Sequence, residues 1–292
     1  MEFLLSSIRN SRVLWELMFL ILCMLSFTQV LLKSLNHTYI TLIPKVPSPN
    51  EVSHFQPISL CNVIYKVISI LMVNKLIPLM DNLITPFQNA FIRWRSITNN
   101  FLIAHEIFDS LGKKKGRKNC FGALKIDMSK AYDRIGWKFL KAVLVALNFN
   151  ERWVNWIMEC VTTVRYTLLI NGNITQSFTP SNGLRQRDPL SPYLLLMFAN
   201  ILYLSLMKAK NQRNIKGLKL GRNCISFTHI FFADDSLIFF KKATDSLTSI
   251  QEIMSWHYSI FGQHINLSRS QTSSVLEYGQ RRSGNSSSFS TC

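Results

Sequence analysis

The chain has 292 residues, 48% of them hydrophobic, which excludes a disordered composition and allows one large domain or two modest ones, each with its own core. Lysine and arginine number 33 against 16 acidic residues, a net charge of +17, so the field around the molecule attracts polyanions: nucleic acid first, an anionic membrane surface second. The six cysteines are scattered without a CxxC pair, which speaks against a disulfide framework or a zinc site and favours a reducing, intracellular compartment, cytoplasm or nucleus.

In chain order, LWELMFLILCMLSF (Leu14–Phe27) follows Arg9 and Arg12 and has the outline of a leader. Glu16 interrupts it, no small-residue cleavage pattern follows, and the run is shorter than the ~20 apolar residues of a spanning helix, so no stable membrane insertion is expected. PKVPSPN (Pro44–Asn50) is a loop. Ile64–Ile84 has helical apolar spacing, with a break or bend expected at Pro78. GKKKGRK (Gly112–Lys118) reads equally as a solvated turn or as an edge that contacts phosphates.

GALKID (Gly122–Asp127) predicts a short strand ending in an acid. Trp137, Leu140, Leu144 and Leu147 then recur at helical spacing, and a second helix carries Trp153, Trp156 and Ile157. Tyr166–Phe178 predicts a hairpin around Asn171-Gly172-Asn173. Asp188-Pro189 reads as a helix N-cap with proline at the first position, opening a helix apolar nearly all round and therefore buried. Ile225–Lys242 predicts a hairpin with Asp234 and Asp235 at or near its turn. The tail from Gly279 is Ser-rich and reads as disordered. The order of elements predicts an α+β fold with an antiparallel sheet backed by helices.

Two acids inside FFADDSLIFF (Phe231–Phe240) are costly unless something compensates them. Taken alone, the pair is more often a solvated turn, and Asp127 alone is as well explained as an N-cap for a helix opening at Met128. Together they allow another chemistry. Phosphoryl transfer commonly uses two Mg²⁺ ions roughly 3.5–4 Å apart, held by a few carboxylates on rigid strands. Asp127 and Asp234 meet in this way if their strands are sheet neighbours.

KIDMSKAYDRIGW (Lys125–Trp137), GLRQRDPLSPYL (Gly183–Leu194) and FADD (Phe232–Asp235) stand in the order of the reverse-transcriptase motifs. HTYITLIPK (His37–Lys45), PISLCNVIYK (Pro57–Lys66) and GQHINLSRS (Gly262–Ser270) agree with them, and over about residues 30–275 the chain resembles the reverse transcriptase of plant LINE-type non-LTR retrotransposons. The resemblance implies a right-hand polymerase with fingers (37–120) and palm (121–275), between a poorly matched segment (1–36) and the tail (276–292), with the thumb absent. It implies an RNA template, a DNA primer and dNTPs as partners, and two Mg²⁺ ions, replaceable by Mn²⁺. By motif, Asp127, Asp234 and Asp235 hold the metals. Tyr132 is the steric gate against a ribose 2′-OH, Gln186 contacts the incoming nucleotide, Lys45 approaches the triphosphate, and Arg95 is a basic residue of the fingers.

The chain departs from the family pattern at chemically telling places. Gln56 stands where an arginine is expected to hold triphosphate oxygens, a role an amide cannot fill. Arg187 stands for the glycine of RQGDP, Arg93-Trp94 for Pro-Gly, and Arg269 for a lysine. This is the pattern of a truncated, decayed element copy. The alternative to an enzyme is therefore a catalytically inactive nucleic-acid-binding remnant.

Overall fold

The computed structural model describes residues 35–113, 121–129, 132–220, 224, 226–232, 235–241, 244–261, 264–265 and 271–274. The leader-like segment, the core of the basic run and the Ser-rich tail lie outside them. The chain divides into two units, each built from two separate segments: Met1–Leu79 with Tyr132–Leu194, and Met80–Ala131 with Leu195–Cys292.

In the first unit, β1 (His37–Pro44) and β2 (Phe55–Cys61) form an antiparallel hairpin running from Thr38↔Cys61 to Pro44↔Phe55. β4 (Arg165–Ile170) pairs with the other edge of β1 in parallel, from His37↔Arg165 to Thr41↔Leu169. β5 (Asn173–Ile174) folds back on β4. The Asn171-Gly172 turn between them has φ of 51° and 80°, the left-handed pair that a two-residue hairpin requires. The sheet order is β2-β1-β4-β5, and β1–β4 makes this sheet mixed. A parallel neighbour more than a hundred residues away leaves no trace in local alternation.

α1 (Val63–Leu83) runs through Pro78 without ending there. The proline removes one intrahelical hydrogen bond, while burial of Leu76 and Met80 on either side of it holds the helix together. α3 (Trp137–Ala146) buries Leu140, Val143 and Leu144. α4 (Glu151–Thr162) buries Val154, Ile157, Cys160 and Val161, and the Asn150 side chain caps it by accepting from the Arg152 N–H at 2.9 Å.

The second unit is organised on a wholly antiparallel sheet, as expected for the acid-bearing strands. β3 (Phe121–Ser129) lies between β9 (Asp235–Lys241) and the short β10 (His264–Ile265), and β8 (His229–Phe232) forms the far edge. β11 (Gln271–Ser274) also pairs with β3. α2 (Ile97–Lys113) lays Ala104 and Ile107 on Ala123, Ile230 and Phe239, so a helix backs this sheet. α5 (Ser191–Asn211), shared between the segments, buries Leu195, Leu196, Met197, Phe198, Leu202 and Leu206, as its all-round apolarity predicts. α6 (Thr244–Phe261) contributes Ile250, Met254 and His257. By length and composition α1 and α5 could each cross a membrane, but about half of the apolar window of each is buried in this fold. The architecture is α+β.

Candidate active site

β3 and β9 pair in continuous register from Phe121↔Lys241 to Asp127↔Asp235. β8 and β9 pair antiparallel, with Phe232↔Asp235 as the last pair. Ala123, Ile126, Ile238 and Phe239 are buried, so both faces of these strands are covered. Gly122 faces Phe240, and a Cβ there would come within 2.9 Å of that ring. The strands thereby place Asp127 and Asp235 at directly opposed positions. Asp234, the residue before Asp235, lies outside the described residues. β3 runs two residues beyond Asp127, so Asp127 is neither a strand end nor the N-cap of a following helix.

Two like charges at opposed strand positions destabilise the pair unless a cation lies between them. Aspartate oxygens are the hard donors that Mg²⁺ or Mn²⁺ take. Among the described residues, no group of three or more His, Cys, Asp or Glu could hold a metal.

Four of the other expected residues belong to different places. Tyr132 and Gln186 lie together in the first unit. The segment 183–186 docks on 132–137: Leu184 N–H donates to the Tyr132 carbonyl at 2.6 Å, Gly183 N–H to the Ile135 carbonyl at 2.8 Å, and the Trp137 indole to the Gly183 carbonyl at 2.7 Å. Gly183 has φ of 92°, and a Cβ there would meet the Asp133 carbonyl oxygen at 2.7 Å, so only glycine fits. Tyr132 is half-buried, and the Gln186 amide donates to the Asp133 carboxylate at 3.1 Å. Arg187 has φ of 64° and is exposed: the position where the family pattern has glycine uses the left-handed conformation. Lys45 is exposed at the end of the β1–β2 hairpin, its ammonium 3.4 Å from the Ser53 carbonyl, and Gln56, also exposed, pairs with Ile43 at the same end.

Arg95, in the second unit, is committed elsewhere. Its guanidinium donates to the carbonyls of Asp81, Ile84, Thr85 and Gln88 at 2.6–3.2 Å and pairs with the Asp81 carboxylate at 3.2 Å. It closes the C-terminal end of α1, where unpaired carbonyls and the helix dipole favour a cation.

Sequence reasoning missed a buried polar knot behind Gln186. Arg185 is 5% exposed, hydrogen-bonded to Asn36, with its guanidinium 4.1 Å from the centre of the Tyr65 ring. The Asp188 carboxylate accepts from Ser69 at 2.5 Å and from Tyr65 and Ser191 at 3.2 Å each. Asp188 is therefore not the side-chain cap of a helix beginning at Pro189. Two of its three hydroxyl partners, Tyr65 and Ser69, lie more than a hundred residues away, and α5 begins at Ser191. Burial, reinforced by Asp188, pushes the Tyr65 phenol well up and the Cys160 thiol up to about 12. Burial alone would loosen the proton of Arg185, but Tyr65, Cys61, Asp188 and Tyr166 outweigh it and the guanidinium holds its charge more tightly. Arg185 and Asp188, charged residues on either side of the motif glutamine, were the available clue.

Residues 43–285 match the family described as reverse transcriptase (RNA-dependent DNA polymerase). The chain belongs to that family. Among its relatives, this reverse transcriptase chain is 24% identical over 84% of its length to the transposon TX1 uncharacterized 149 kDa protein of Xenopus laevis, of which it spans 18%. It is 22% identical over 82% of its length to a retrovirus-related Pol polyprotein from the type-1 retrotransposable element R2 of Popillia japonica, of which it spans 32%. An uncharacterized mitochondrial protein of Arabidopsis thaliana is 40% identical over 23% of the chain, which spans 56% of that protein. The R2 and TX1 relatives place this domain among reverse transcriptases of non-LTR elements. The fold is shared with telomerase from Candida tropicalis, solved in complex with a TWJ fragment of telomeric RNA, at a TM-score of 0.57 and 14% identity over 82% of this chain and 41% of that one.

Proposed function

We propose that the chain is the polymerase part of a plant non-LTR element: an RNA-directed DNA polymerase that adds dNTPs to a primer 3′-OH on an RNA template. The observation that carries the reading is the register that sets Asp127 opposite Asp235. Asp127, Asp234 and Asp235 would hold two Mg²⁺ ions, with Mn²⁺ a substitute. Bound there, the metals would acidify the 3′-hydroxyl and offset the charge that builds on the transferring phosphate. The palm would span residues 121–275, which include these strands, and the fingers residues 37–120.

Tyr132, half-buried and held by its own main chain against Leu184, would crowd a 2′-hydroxyl and so select dNTPs. Gln186 would exchange its bond to Asp133 for one to the nucleotide. Lys45, at the open end of its hairpin, would approach the triphosphate. Arg95 holds the fold, not the nucleotide.

A second reading, a nucleic-acid-binding remnant without catalysis, is favoured by two observations. Gln56 is exposed where a guanidinium fork is expected, and Arg187 carries a large side chain at φ 64° beside Gln186. Loss of a charged triphosphate contact costs on the order of 2–4 kcal/mol of transition-state stabilisation. The test is Mg²⁺-dependent dNTP incorporation on a primed RNA template, with Asp234→Asn as control. Incorporation that exceeds the control supports the enzyme. Incorporation equal to it, with salt-sensitive RNA binding retained, supports the remnant.

A further inference from the structure

The loop between α1 and α2 carries exposed apolar side chains that the proposed site does not use. Phe91, Trp94, Ile97, Phe101 and Leu102 are all more than half exposed, Trp94 at 88%. Five large apolar side chains within twelve residues form an exposed patch, not scattered surface residues. Ile97 and Phe101 are one helical turn apart on α2, which buries Asn100, Ala104 and Ile107.

The exposed rings are held, not loose. Ala90 and Ile92, flanking Phe91, are buried. The Asn89 amide donates to Asn100 at 2.7 Å, Asn100 donates to the Phe87 and Phe231 carbonyls at 3.0 and 2.8 Å, and Gln88 bridges to Phe231 of β8. Arg95 fastens the other side of the loop to the end of α1. Phe91 and Trp94 adopt φ of 57° and 66°, conformations that bulky residues rarely take. An anchored loop with strained backbone thus presents two rings to solvent. Arg93 sits over the Trp94 ring at 5.0 Å, adding a cation to its face.

We infer that Phe91, Arg93, Trp94 and Phe101 form a stacking platform for single-stranded nucleic acid. Unpaired bases stack on exposed rings with little regard to sequence, an arginine beside the ring pairs with phosphate, and the chain's net charge of +17 supplies the attraction. A duplex, whose bases are already stacked, gains nothing from the rings. A protein partner would need an acidic surface to approach a chain of this charge, and it is the competing outcome below.

The experiment uses the full chain, without metal or dNTP, and a fluorescent oligo-U, an oligo-dT and a blunt duplex of the same length. Trp94→Ala and Phe101→Ala should each weaken single-strand binding by about 5-fold or more. Duplex binding and the slope of affinity against salt should not change, because no cation is removed. Trp94→Phe should retain most of the affinity, and circular dichroism checks that each variant folds. Equal single-strand binding by parent and alanine variants overturns the inference. So does an equal loss for duplex, or a patch variant that changes only self-association or protein capture. Asp127→Asn should bind oligo-U like the parent, so loss of incorporation and loss of this platform are separable results.

Discussion

Arg187→Gly isolates the physical cost of one departure from the family pattern. Arg187 sits at φ 64° and is exposed, so its side chain has little packing to lose. A Cβ in the left-handed region costs roughly 1–2 kcal/mol. Glycine recovers that strain but loses about 0.4–1 kcal/mol through its freer unfolded chain. The net expectation is stabilisation by about 0.5–1 kcal/mol. With a urea slope of about 1–3 kcal/mol/M, the midpoint should rise by about 0.2–1 M. Arg187→Ala is the necessary partner: it removes the charge and keeps the Cβ, so it should not stabilise. Urea titration followed by circular dichroism reads both. If the alanine variant gains as much as the glycine variant, charge relief explains the effect and the backbone argument fails. If glycine lowers the midpoint, the left-handed conformation does not exist in solution.

Gly183→Ala should act in the opposite direction, losing about 2 kcal/mol or more in the same titration, because its Cβ would strike the Asp133 carbonyl oxygen at 2.7 Å and its φ is 92°. Asp188→Ala should cost about 3–5 kcal/mol by thermal or urea unfolding, since it strips the acceptor from Tyr65, Ser69 and Ser191 and leaves buried Arg185 without its facing carboxylate. His229 and His257 are both held down to about 3, His229 by burial and then by Lys210, His257 by burial. Their folded values lie below the unfolded 6.5, so the unfolded chain binds more protons between pH 6.5 and 3. Stability is full above 6.5 and falls with acid by about 1.4 kcal/mol per pH unit for each histidine. Urea midpoints at neutral and mildly acidic pH should diverge for the parent, and less for His229→Phe.

Local physics explains what the sequence made legible. The β8–β9 hairpin, α3, α4 and the Asn-Gly turn each depend on neighbours a few residues away, and alternation or helical spacing records that directly. A break or bend was expected at Pro78; the helix does not end there, and Leu76 and Met80 are buried on either side. Asp188 looked like a cap because its local context fits one; two of its partners, Tyr65 and Ser69, are 123 and 119 positions away. Arg95 was assigned by motif to the fingers, and nothing in its own segment announces the four carbonyls it holds. The discontinuous units and the parallel β1–β4 pair are likewise long-range facts. The acids were legible only as an ordered set, and the register of β3 on β9 is what brings Asp127 opposite Asp235.

The central claim is that this register makes a divalent-metal site, and Mn²⁺ titration followed by electron paramagnetic resonance of the free ion tests it most directly. The full chain should bind Mn²⁺ at two sites that Mg²⁺ displaces, and Asp127→Asn and Asp235→Asn should each lose that binding while remaining folded. A parent that leaves the Mn²⁺ signal unchanged, or variants that bind as the parent does, would contradict the account.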